Sequence, residues 1–129
     1  MVIYEKATVK LDYNQAKKQL TQTWTGFSST EVFREAIDKT ASFMKTNLVT
    51  TIISDTLKQS VVKPEDTQYA ASIMPTLFKS GLKAMAFIMP QNVLTQMSLK
   101  GFDSAQKNDN VQFFASVAEA QKWLETMAI

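Results

Sequence analysis

Residues 48–54 read LVTTIIS, a nearly continuous run of apolar and β-branched side chains with little polar alternation. Such a run fits a central strand covered on both faces, which an open antiparallel sheet with one wet face does not supply. The chain must therefore provide helices to cover a sheet on two sides. Ahead of this run, Ile3, Glu5, Ala7, Val9 and Leu11 alternate with Tyr4, Lys6, Thr8, Lys10 and Asp12, the period of a strand with one mostly apolar face. Asp12 to Lys18 supply turn chemistry, and residues 19–27 (QLTQTWTGF) continue as a second, antiparallel strand.

Helix signals follow. Ser28 and Glu31 have capping-box spacing, with Phe27 placed to staple to Val32. Phe33, Ala36, Ile37, Thr40, Ala41 and Met44 recur at the helical period and leave Arg34, Glu35, Asp38 and Lys45 in water. Pro64 suits the first turn of a second helix, Glu65 and Asp66 complement its positive end, and Gly81 suits the residue after its C-terminus. Pro75 removes the amide that would bond Ala71 and predicts a kink; Tyr69, Ala70, Ile73 and Leu77 form the inward side.

Lys83 to Met89 reads as another interior strand. A third helix after Pro90 carries Val93, Leu94, Met97, Phe102 and Ala105 inward, with Gly101 weakening its middle. Val111 to Phe114 is a short strand, and Ser116 with Glu119 opens a final helix whose stripe is Ala120, Trp123, Leu124 and Met127. The order β-β-α-β-α-β-α-β-α predicts an α/β fold with a mixed, mostly parallel five-stranded sheet and four helices, in one domain spanning 1–129.

Composition closes off several chemistries. The chain has no Cys and no His, which removes thiolate nucleophiles, disulfides, Ser-His triads and the usual zinc ligands, and no metal or cofactor is expected. Only three Gly are present, at Gly26, Gly81 and Gly101, so neither a dinucleotide fingerprint nor a P-loop can be written. Fourteen Lys and Arg against twelve Asp and Glu leave a net charge of +2, and Arg34 is the one Arg. A nucleic-acid surface needs clustered cations and favours the Arg fork, so no nucleic-acid partner is expected. The charged start MVIYEKATVKLDYN lacks a signal-peptide core, and the longest apolar run, residues 84–89, is far short of a membrane span. A cytoplasmic protein without membrane insertion is the resulting expectation.

Trp24 to Phe27 (WTGF), Ile52 to Asp55 (IISD), the Pro-containing helix closing in FKSGLKAMAFIMP, and the ending FFASVAEAQKWL together resemble the anti-anti-sigma factor fold, also called STAS or SpoIIAA-like. The similarity is stronger to a divergent bacterial branch of small stand-alone proteins, and it spans nearly the whole chain. In partner-switching members of this group, a Ser-containing turn after the third strand, commonly Asp-Ser-Ser-Gly, is phosphorylated to break a partner interface. The corresponding region here is SDTLKQSVVKPED: Asp55 fits, Thr56 is the nearest hydroxyl, Ser60 follows, and no Ser-Ser-Gly occurs. The resemblance implies a non-catalytic regulatory module that meets a protein partner through the loop after the third strand, with Asp55, Thr56, Lys58 and Ser60 as contacts. In architecture alone the fold is also similar to lipid-binding CRAL-TRIO domains.

Asp55 read as a phosphoacceptor would require a magnesium site built from neighbouring acids, and the other strand ends offer Thr25-Gly26, Pro90-Gln91 and Ala115-Ser116. Asp55 as an Asx-type turn acceptor is the simpler reading. The second functional reading is a carrier or sensor of a small apolar or amphipathic, lipid-like ligand held between sheet and kinked helix by Ile73, Leu77, Phe87 and Met97. Against it, Met and Phe at strand and helix periods belong to a core. Carboxylate-only catalysis by Asp55 with Glu65 or Asp66 is the third, and would need two pKa values driven apart in one pocket. The apolar stripes of so small a domain also allow a homodimer.

Overall fold

Alternating apolar residues become strands and 3.6-residue stripes become helices in the computed structural model, which describes residues 1–93 and 110–127. The strands are β1 (Val2–Lys6), β2 (Val9–Asn14), β3 (Gln19–Gly26), β4 (Thr51–Gln59), β5 (Ala84–Ile88) and β6 (Val111–Phe114). The helices are α1 (Thr30–Thr46), α2 (Pro64–Lys79) and, after β6, α3 (Val117–Met127). Residues 91–93 are helical, and the rest of the third helix expected after Pro90 lies outside the described residues. One mixed sheet runs in the order β1-β2-β3-β4-β5-β6, antiparallel from β1 to β3 and parallel from β3 to β6.

The sheet has six strands, not five, because the expected first strand is a hairpin. Lys6 pairs with Val9 across the two-residue turn Ala7-Thr8, and neither turn residue adopts a left-handed conformation. Without that requirement there is no Gly or Asn to mark the turn. A register shift between Val2 and Tyr4 places both Ile3 and Tyr4 against the α1 side.

Opposite faces of β4 anchor two cores. Ile52 joins Val9, Leu11, Leu20, Trp24, Phe33, Ala36, Met44 and Met85 beneath α1 and α2. Its neighbour Ile53 joins Ala84, Ala86, Ile88, Ala120 and Leu124 beneath α3. At about 25 cal/mol per Å², burying each such Ile or Leu stabilises the fold by about 2 kcal/mol. Buried polar groups are paired: Gln22 Nε2 donates to Thr40 Oγ1 at 3.0 Å, and Gln19 and Gln121 exchange side-chain amide bonds at 2.9 and 3.2 Å, fixing α1 and α3 to β3. Among the described residues no buried side-chain nitrogen or oxygen lacks a partner.

Helix ends follow the expected chemistry with one shift. Ser29, not Ser28, caps α1, its Oγ accepting the Val32 N–H at 3.2 Å, while Ser28 donates to Thr8 Oγ1 at 2.8 Å. Two adjacent serines satisfy the same local pattern, and the contact to Thr8 decides between them. Phe27 remains exposed rather than stapled. Gly81, at φ +115°, ends α2 with the paired bonds Leu82 N–H to Leu77 O and Gly81 N–H to Phe78 O, a Schellman motif. Among the described residues no helix is long and apolar enough to cross a membrane.

Candidate functional site

β4 outruns its neighbour. Its pairing with β5 stops at Asp55 opposite Ile88, whereas its pairing with β3 resumes at Thr25 opposite Lys58 and Gly26 opposite Gln59. Between Thr23 and Thr25, Thr56 and Leu57 together oppose Trp24, which is a β-bulge. Asp55, Thr56 and Lys58 therefore lie on a strand, not on the loop expected after Ser54, and only Ser60 is beyond its end. The polar side chains from Asp55 onward have no buried face to show, so their period carries no strand signal.

Two of these side chains close the β4–β5 ladder. The Asp55 carboxylate accepts the Leu57 N–H at 3.1 Å, and the Thr56 hydroxyl donates to the Ile88 carbonyl at 2.6 Å. The first bond is the Asx-type acceptor role expected of Asp55, set inside a bulge. The second occupies the Thr56 hydroxyl with the last residue of β5.

Beyond the ladder an apolar rim faces water. Phe27, after β3, is 56% exposed; Leu57, in the bulge, 41%; and Val61, after β4, 86%. The Ser60 N–H donates to the Gly26 carbonyl at 2.9 Å, which brings the loop carrying Val61 beside the one carrying Phe27. Val93 and Val117, also exposed, follow β5 and β6 at the same end of the sheet. Lys58, Ser60 and Lys63 are exposed around Leu57 and Val61. Nothing in the sequence's periodicity singled out Leu57 or Val61; their signal is that they are apolar residues outside every stripe.

Asp66 departs most from expectation. It is only 2% exposed in the first turn of α2, where its two carboxylate oxygens accept from Arg34 Nε at 3.1 Å and from Thr30 Oγ1 at 3.0 Å, both on α1. The Arg34 guanidinium, expected in water, also lies 4.8 Å from the centre of the Tyr69 ring, and the Tyr69 hydroxyl donates to Asp38. That bond to Asp38 holds the Tyr69 hydroxyl proton, raising its pKa. Asp66 thus turns to α1 rather than pairing with Asp55, and among the described residues no three acids gather where a cation could bind.

Ile73, Leu77 and Phe87 belong to or pack on the main core. Leu77 is buried, Ile73 and Phe87 pack on the same core, and Phe87 stacks on Phe113 with ring centres 5.4 Å apart. Met97 lies outside the described residues. Two open surface hollows, of about 490 and 240 Å³, lie elsewhere: one among Met1, Asp12, Asn14, Lys17, Gln19 and Thr21, the other among Ile3, Lys39, Ser42 and Phe43. Strand order does not reverse anywhere in the sheet, so the crevice that open α/β sheets use for nucleotides is not formed among the described residues.

No protein-family model and no curated protein matches this sequence. Solved structures do match in fold. The anti-sigma factor antagonist SpoIIAA in its unphosphorylated form aligns over 91% of this chain and 97% of its own, at TM-score 0.65 and 14% identity. This chain has the SpoIIAA fold. Bacillus SpoIIAA in its phosphorylated form aligns over 90% of this chain and 98% of its own, at TM-score 0.60 and 14% identity. An uncharacterised Shewanella loihica protein of the DUF3478 family, itself described as SpoIIAA-like, aligns over 95% and 98%, at TM-score 0.59 and 13% identity. Identities this low speak for the SpoIIAA fold and not for a shared activity.

Proposed function

We propose that this chain is a regulatory protein-binding module that docks a partner on the rim of Phe27, Leu57 and Val61, with Lys58 and Ser60 as the polar contacts beside them. The single observation that carries this reading is the exposure of three large apolar side chains, Phe27, Leu57 and Val61, on adjoining segments at one end of the sheet, with Val93 and Val117 exposed at that same end. Exposed apolar clusters with polar edges are the usual mark of a protein contact. The SpoIIAA structures support it in kind, since SpoIIAA is named for antagonism of another protein, an anti-sigma factor.

Asp55 and Thr56 act here as the scaffold that ends the ladder and turns Leu57 outward, rather than as contacts. The module works by binding and not by catalysis; a sequence without His or Cys is suited to that role. The chain immobilised through its C-terminus should retain a specific protein from cells that produce it, and Leu57→Asp with Val61→Asp should abolish retention. Thr23→Asp, on the polar sheet face, should leave it intact. Equal retention by all three would overturn the proposal.

A further inference from the structure

We infer that the N-terminal half of α2 opens as a unit, hinged at Pro75 and fastened to α1 by a polar clasp made of Asp66, Arg34, Thr30, Tyr69 and Asp38. The inference starts from how unevenly α2 is held. Only two of its side chains are fully buried, Asp66 in the first turn and Leu77 near the end. Leu77 is anchored in the main core, so the C-terminal half is held by apolar packing and by the Schellman closure at Gly81. The N-terminal half fully buries a carboxylate instead, with Ala70, Ile73 and Met74 only partly covered.

A carboxylate out of water is stable only while its partners stay in place, and removing one partner strands the charge. Asp66 has two, and both come from α1. The ring of Tyr69 beneath Arg34 and the Tyr69 bond to Asp38 extend the clasp by one turn. These interactions are directional and give way together, unlike dispersed apolar contacts. No side chain caps the start of α2 at Lys63, and just ahead of it the chain is held by Val62 on the core and by the Ser60 N–H to Gly26 O bond, so within α2 itself the clasp is the main polar tie of that end.

Pro75 sets the other limit. It sits inside the helix without an amide, so the N–H that would bond the carbonyl of the exposed Ala71 is missing from the backbone ladder. The helix is weakest at the junction between its clasped and its core-packed halves. Opening the clasped half would carry the loop from Ser60 to Lys63, and with it Val61, away from Phe27. That consequence for docking rests on the function proposed above; the opening itself does not, because it is read on the free chain.

Residue-resolved hydrogen exchange on the full chain tests this. The amides from Gln68 to Met74 should exchange at one common rate, about tenfold or more faster than those of Leu77 and Phe78, with the step at Pro75. Arg34→Gln should raise that common rate by a further tenfold or so while Leu20 and Ile52 stay within about twofold of wild type. Should Arg34→Gln fail to fold, Thr30→Val removes one clasp bond more gently and should move the same amides in the same direction. A smooth gradient fading from Pro64 inward would mean ordinary end fraying and would overturn the inference. So would exchange of both halves in step with β4, or acceleration of every strand together.

Discussion

Tyr4 shows how one hydroxyl can report on a helix–sheet contact. Its oxygen donates to Glu35 Oε1 at 2.5 Å, linking β1 to α1, and burial followed by that carboxylate pushes its pKa up to about 12. A free tyrosine ionises near pH 10, so the folded chain holds this proton more tightly than the unfolded chain does. The resulting stabilisation is complete below about pH 10 and is lost as the pH rises toward 12. Chemical denaturation of wild type and Tyr4→Phe across this range should show the two stability curves converging above pH 10. A constant gap between them would contradict the assignment. Asp55 and Thr56 belong at this scale too, since each was legible as a polar residue at a strand end while its partner was not. The Ile88 carbonyl that meets Thr56 lies 32 residues away in sequence, beyond the reach of any local pattern.

Elements were legible where a period met a covered face. α1, α3, β3 and β5 lie within a few residues of their expected limits because Phe33, Ala36, Met44, Ala120 and Leu124 all point into one of the two cores. The β1–β2 turn was hidden because Ala7-Thr8 needs no left-handed residue, and the end of β4 because its side chains stop alternating between core and water. Buried Asp66 was hidden for another reason: an acid in a first helical turn suits the helix dipole whether it faces water or Arg34. Where backbone geometry demands one residue type, sequence and structure agree closely. Gly81 at φ +115° closes α2, and a Cβ there would meet Leu48 Cδ1 at an ordinary 3.5 Å. Gly81→Ala should therefore cost about 1–2 kcal/mol through backbone strain and not through a clash. Urea denaturation of the variant checks this, and unchanged stability would show that the C-cap does not need its glycine.

For the whole molecule, the two-core sheet explains why one end of the sheet keeps apolar side chains exposed, the end proposed here for docking. α1 and α2 cover one face and α3 covers the parallel part of the other, while β4 carries its bulge past the end of β5. Phe27, Leu57, Val61, Val93 and Val117, five of the exposed apolar groups, fall where the parallel strands end. The SpoIIAA fold was readable from strand and helix order because the covered strands from β3 on, and the helices between them, carried their periods in the sequence. The proposed docking rim was not, because Leu57 and Val61 are defined by what they fail to pack against. The most direct measurement places a photo-crosslinking side chain at position 61 and, as control, at position 23 on the polar sheet face, in cells that produce the chain. Crosslinks from 61 to one protein that also binds the purified chain, with none from 23, are the expected result. Crosslinks to that protein from 23 and none from 61 would contradict a docking rim at the end of β4.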